Sequence, residues 1–374
     1  MMKKIDAEHG EGALEPGELV RPLFEGPLDV VGDVHGEIDA LIALLEKLGY
    51  DRAGVHPDGR RLVFVGDLCD RGPDSPAVIN LVRQLVRTGR AQCVIGNHEL
   101  NLLRGEHKHG NHWFFREDSQ ALREKFGPCV LATEAQCKDF LAFFRELPVA
   151  LERSDLRVVH AAWSPGDIAK CRDFDGDALE AHAEFEQELA ASDHGRRLKA
   201  AHDEERVTHA VALASTGEPP PMLMAVGAYD EHYQLGNPIR VLTSGLERAT
   251  TKPFNASDKW RFVERVRWWR EYDANPAVVF GHYWRWLDPE AHAVLSKGEP
   301  NLFAGDHACG WHQNAAGRDV AFCIDYSVGA RFKERKSGVR GAFQGRLAAL
   351  RWPERTVVFD DGTETPTPGN GEQR

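Results

Sequence analysis

The stretch LDVVGDVHGEIDALIALLEKLGY, residues 28–50, sets the reading of the whole chain. The apolar run LDVV (28–31) passes into Gly32-Asp33-Val34-His35-Gly36, and then Ile38, Leu41, Ile42, Leu45 and Leu48 recur at helical spacing. That is strand, loop, helix. The order repeats at RLVFV (61–65), which enters GDLCDRG (66–72). Ser75 and Pro76 are placed there as N-cap and first-turn proline of a helix carrying Val78, Ile79, Val82 and Leu85, with Gly89 to stop it. A third run, QCVI (92–95), enters GNHE (96–99), and the chain turns helical at residues 100–103. Strands alternating with helices predict a mainly parallel sheet, whose ligands bind beyond the carboxyl ends of the strands. All three polar clusters fall there.

Further candidate strands are LRVVHAAW (156–163), AVVFGHYW (277–284), VAFCIDYS (320–327) and TVVF (356–359). The first two bring His160 and His282 to strand ends. One Gly-Asp at a strand end is an ordinary turn. Three clusters in the order Asp-x-His, Asp, Asn-His, joined by two later histidines, form a set of hard oxygen and imidazole metal ligands.

Composition bounds the function. The net charge of -12 speaks against a chain that lives on nucleic acid or on an anionic membrane, both of which reward a basic face. Seven cysteines, an odd number without a CxxC pair, speak against a disulfide framework. Residues 1–20 lack the continuous apolar segment of a signal peptide, and no run approaches a membrane span, so a cytoplasmic protein without a membrane partner is expected.

GDVHG, GDLCDRG and GNHE with two later histidines resemble the metallophosphoesterase (calcineurin-like phosphoesterase) superfamily, in the branch of the phosphoprotein phosphatases and symmetrical diadenosine tetraphosphatases. The similarity is strong over residues 28–104, moderate around His160, His282 and 320–353, and absent over most of 164–275. It implies an α/β fold, a β-sandwich of mixed sheets flanked by helices, and a hydrolase. Its cofactors would be two divalent ions, with manganese expected and iron, zinc, nickel, cobalt or magnesium as alternatives. Carried over, Asp33 and His35 bind one metal, Asn97, His160 and His282 bind the other, and Asp67 bridges them. A metal-bridging hydroxide would attack a phosphate monoester or phosphoanhydride. His98 would protonate the leaving oxygen with Asp70 holding its ring, and Arg71 would fork onto the phosphate. Glu99 is read as a structural neighbour, and Cys69 as a packing residue.

The resemblance also divides the chain into an N-terminal extension (1–26), a core (27–163 and 276–360), an insertion or cap (164–275) and a disordered tail (361–374). The insertion is expected to be largely helical, including KWRFVERVRWWREY (259–272), whose tryptophans are read as packing and whose arginines as possible phosphate contacts. The Ser-Ala-Pro-Asn-Tyr-Cys stretch of eukaryotic protein phosphatases is missing, and Arg240 and Arg248 are the candidates for a second phosphate-binding arginine. His107, His109 and His112 read as a polar loop, and Cys309 and His312 as incidental. The partner is a phosphorylated substrate whose class stays open: phosphoprotein, dinucleoside polyphosphate, nucleotide or RNA end, the last because residues 68–104 also resemble the phosphatase domain of bacterial polynucleotide kinase-phosphatases. The rival readings are an inactive binding module, against which the complete ligand set stands, and a nuclease, which the acidic charge disfavours.

Overall fold

The three amino-terminal runs form neighbouring parallel strands, Leu28–Val31, Arg61–Phe64 and Ala91–Cys93, in the computed structural model, which describes residues 17–215, 217–256, 259–296, 300–305, 311–314 and 316–367. Their sheet continues antiparallel on the other side, through Ala348–Trp352, Thr356–Phe359 and Glu364–Pro366. A second six-stranded sheet runs in the order Val20–Pro22, Ala150–Glu152, Leu156–Val159, Ala277–Phe280, Asp319–Cys323, Trp311–Gln313. Its middle three strands are parallel. Both sheets are thus mixed, because the parallel strands need crossover connections while the late strands close by hairpins.

Alternation explains why these strands read as continuous apolar runs. Leu28, Val30, Val63 and Leu350 of the first sheet share one buried cluster with Leu156, Val158, Val279 and Phe322 of the second. Val31, Phe64, Ala349, Val278 and Phe280 point the other way, into the cluster shared with the helices. Strands buried on both faces have no polar side to show. Ile38–Leu48 and Ser75–Arg87 cover the first sheet with Leu41, Leu44, Val78, Ile79 and Val82, all buried.

Four local expectations need correction. Ser75 is the first helical residue rather than the cap: Asp74 accepts a hydrogen bond from the Ala77 amide, and Ser75 Oγ instead accepts one from the Asp70 amide at 2.9 Å. A carboxylate is a good cap because it also meets the positive end of the helix dipole. Residues 259–265 are a strand, Lys259–Arg265, paired with Glu247–Ala256, not a helix. Trp260 and Phe262 stand two apart and pack with Leu223 and Val226, so period two prevails in a segment rich in aromatic and β-branched residues. The core begins before residue 27, since Val20–Pro22 is a strand flanked by buried Leu19 and Leu23. The tail begins after 361: Gly362 at φ 84° makes the turn that returns Glu364–Pro366 to the sheet. Residues 368–374 and Cys309 lie outside the described residues.

Among its described residues the insertion otherwise carries six helices, from Pro165–Arg172 to Pro238–Ser244, before the hairpin. It then returns to the core, where Trp268 and Trp269 are buried against Phe280. Among the described residues no helix is long and apolar enough to cross a membrane.

Candidate metal centre

The carboxyl ends of two parallel triplets, one from each sheet, meet at one edge of the sandwich. Asp33, Asp67 and Asn97 follow the strands of the first triplet, and His160, His282 and Asp325 follow those of the second. Backbone sterics mark the same place. His35, Asp67, Asp70, Arg71, His282 and Ser327 all have positive φ, a conformation that costs non-glycine residues energy and clusters at functional sites. Glycine is required beside them. A Cβ on Gly281 would lie 1.9 Å from Asp33 Oδ1, and one on Gly96 would lie 2.3 Å from Asp67 Oδ1.

Distances bring the candidate ligands together. The His160 and His282 ring nitrogens and an Asp67 oxygen lie within 4.8 Å of one another, and so do ligand atoms of His35, Asp67 and His98. Asn97 Oδ1 is 3.2 Å from His160 Nε2 and 2.9 Å from His282 Nδ1. His35 Nε2 is 3.9 Å from Asp33 Oδ2 and 3.7 Å from Asp67 Oδ2. Two histidines are oriented by the backbone: Nδ1 of His160 donates to the Val65 carbonyl at 2.7 Å, and Nδ1 of His35 to the Cys69 carbonyl at 2.9 Å. Each therefore turns Nε2 toward the carboxylates. That is how proteins aim imidazole at a metal.

Charge balance fits the same group. Asp33, Asp67, Asp70, Glu99 and Asp325 are all buried, and buried carboxylates require cations or donors. Burial, then the like charge of Asp325, pushes Asp33 well above the usual carboxylate range. Burial would also raise Asp67, but His160 and His98 outweigh it and hold Asp67 well below that range. A divalent cation beside Asp33 would supply the missing countercharge. The oxygen and imidazole donors of Asp33, His35, Asp67, Asn97, His160 and His282 suit such ions.

Around them sit the other residues named from the sequence. Asp70 accepts a hydrogen bond from His98 Nδ1, and His98 Nε2 is 2.7 Å from Arg71 Nη2. Arg71 Nη1 donates to His35 Nε2 at 2.7 Å, so the guanidinium stands between the two rings. Glu99 accepts from the Asp67, Leu68 and Gly96 amides and thereby shapes two of the loops. Cys69 is buried, its thiol held well above its ordinary pKa by burial and donating to Glu99, which suits packing rather than nucleophilic attack. Of the two candidates for a second phosphate-binding arginine, Arg248 pairs with Glu264 and Arg240 with Glu186.

Three residues were not assigned to the site by the sequence reading. Trp113 Nε1 donates to Asp70 Oδ1 at 2.7 Å, Ser75 holds the Asp70 amide, and Asp325 faces Asp33. Asp325 had a signal, a lone acid ending the apolar run AFCI; Trp113 had none, because its partner is 43 residues away.

His160 gives a test of the donor set. Burial alone would lower its pKa, but the Asp67 and Asp33 carboxylates raise it to about 10. The folded chain therefore holds this proton at neutral pH, and a cation taking Nε2 must displace it. Metal uptake near pH 7 should release about one proton from this ring, and affinity should rise as pH rises toward 10. Calorimetry in buffers of different ionisation enthalpy measures this, and uptake without proton release would remove His160 from the ligand set.

Comparison with known proteins follows the same lines. Residues 26–193 match the family model for calcineurin-like phosphoesterases. Asymmetrical bis(5'-nucleosyl)-tetraphosphatases are similar: that of Halalkalibacterium halodurans is 55% identical over 73 residues, 19% of this chain and 30% of that protein. That of Bacillus velezensis is 36% identical over 150 residues, 38% of this chain and 59% of that protein. The chain thus spans less than two thirds of the length of the curated relatives it matches. Among solved structures, a cold-active protein-tyrosine phosphatase of a psychrophilic Shewanella superposes with TM-score 0.40 at 16% identity, covering 92% of this chain and 81% of that one. A serine/threonine phosphatase of Saccharomyces cerevisiae superposes at 0.41 and 13%, covering 96% and 86%. At such values neither bears on activity.

Proposed function

From the match of residues 26–193 to the calcineurin-like phosphoesterase family model, we propose that this chain hydrolyses phosphate monoesters or phosphoanhydrides with the help of two divalent metal ions. One observation carries the reading: six donor residues from two sheets converge on one buried, carboxylate-rich strand-end site. Asp33 and His35 would hold one ion, Asn97, His160 and His282 the other, with Asp67 between them. When bound, such ions supply Lewis acidity and lower the pKa of a water to roughly 7.

The chain's own residues do the rest. Arg71 presents two guanidinium nitrogens toward the site, a fork that matches phosphate oxygens in geometry and charge. Its attachment to His35 and His98 is a polar one that an incoming phosphate can replace. His98 is tethered through Nδ1 to Asp70, leaving Nε2 to give a proton to the departing oxygen. Trp113 and the Ser75 hydroxyl fix Asp70 in turn. Manganese is the expected activator.

The test uses the purified full chain and an activated aryl phosphate. Elemental analysis should find two divalent ions per chain, and removal of the metal should abolish turnover, with manganese restoring it. Full activity after exhaustive chelation would overturn the reading.

A further inference from the structure

A cleft of about 640 Å³ opens from the metal-site residues Asn97 and His282 toward the insertion. Seven basic side chains line it, among them Arg104, Lys108, Arg240, Arg261 and Arg267, against the two carboxylates Glu247 and Glu264. Glu106 and Glu186 also pair with Arg104, Lys108 and Arg240 at distances of 2.7 to 3.6 Å. Asp230 also faces Arg240 and Arg261, and with all five acids counted the surplus is two positive charges. The chain as a whole is at -12, so this concentration is opposite in sign to its surroundings. Arg261 and Arg267 make no ion pair within 4 Å among the described residues. The field in the cleft is felt by its own lining: burial, then Arg104 and Arg240, hold His182 down to about 3, so this imidazole adds no charge of its own at neutral pH.

We infer that this cleft binds the non-reacting part of a substrate built on a linear oligophosphate chain, with the insertion and the residues after the third cluster supplying the contacts. The inference rests on the phosphoesterase reading and gives that site its substrate class. Guanidinium forks match phosphate oxygens. A phosphopeptide would bring one phosphate and a mostly neutral backbone, leaving the surplus charge unmatched. Single-stranded RNA would call for aromatic platforms on which bases stack, and among the described residues of the lining Phe254 is the sole Phe, Tyr or Trp. The cleft begins at Asn97 and His282, so a chain with one phosphate at the metal centre has its next phosphates at the basic lining without leaving the protein surface.

The test separates binding from hydrolysis. The full chain, stripped of metal on a chelating resin, is titrated calorimetrically with inorganic tripolyphosphate, orthophosphate and a phosphoserine peptide. Tripolyphosphate should bind about tenfold or more tightly than either of the others, and the preference should shrink as salt is raised, because exposed charges are screened. Arg261→Gln with Lys108→Gln, both exposed and outside the metal centre, should weaken tripolyphosphate by about fivefold, as expected for partly exposed charge pairs, and leave orthophosphate and aryl phosphate turnover unchanged. Charge reversal, Arg261→Glu, provides a second variant at a position that cannot disturb the core. Equal affinity for tripolyphosphate and orthophosphate, a tighter phosphopeptide, or variants that bind like the parent would overturn the inference. Tripolyphosphate binding in a chain that hydrolyses no phosphate ester would instead sink the phosphoesterase reading and leave the cleft assignment standing.

Discussion

Replacing His98 by asparagine should lower kcat by about 10²-fold or more while metal content stays near that of the parent, the usual scale for losing a general acid. The ring is well placed for the part: Asp70 accepts from Nδ1, Trp113 and Ser75 hold Asp70, and Nε2 is directed at Arg71. The effect should depend on the leaving group. An alkyl phosphate needs its departing oxygen protonated, whereas a nitrophenolate leaves as a stable anion, so the deficit should shrink strongly for the latter. Trp113→Phe provides a graded control. It removes one buried hydrogen bond to Asp70, worth about 1 kcal/mol in a typical case, and should give a loss of roughly fivefold in the same leaving-group-dependent direction. If His98→Asn slows good and poor leaving groups equally, or empties the metal site, His98 is a ligand or a structural residue and not the acid.

Replacing Asp67 by asparagine should instead remove metal and activity together. Asp67 is close to both halves of the site, with carboxylate oxygens 3.7 Å from His35, 3.5 Å from His160 and 3.8 Å from His98. The substitution keeps shape and deletes a negative charge between the two proposed cation positions. Metal affinity should fall by about 10- to 100-fold at least, the range seen even for groups that only support ligands. High manganese should recover part of the occupancy but not the full rate. Full occupancy with a normal rate would show that the two halves do not share this carboxylate. The variant should fold, because the backbone around Asp67 is held by contacts independent of Glu99 as well as by Glu99: the Asp67 carbonyl accepts from the Val34 and His35 amides at 3.0 and 2.9 Å.

Much of the core was legible because its signals are local. A β-branched run ending in Gly-Asp or Gly-Asn identifies a strand and its polar end within about ten residues, and the helix after it follows from apolar spacing. The errors were local competitions as well. Asp74 displaced Ser75 as a cap because its carboxylate is the better acceptor, and Lys259–Arg265 became a strand because its aromatic residues found a partner strand and helices to cover them. The edges of the sandwich, Val20–Pro22 and Glu364–Pro366, were assigned to an extension and a tail, because a three-residue edge strand has too short a pattern to read without its neighbour.

The sequence by itself determined which residue types stand at the strand ends, and through its resemblance it named residues that the fold brings close together. Only the tertiary structure decided what those residues meet. His282 donates its amide to Asp33 across 249 positions of chain, Asp325 joins the site from a strand later still, and the basic lining of the cleft comes from a helix end, a second helix and a hairpin. Periodicity is written in near neighbours, since it reflects the backbone's own repeat. Contacts between two sheets depend instead on which faces bury each other, a choice made by the whole apolar surface at once.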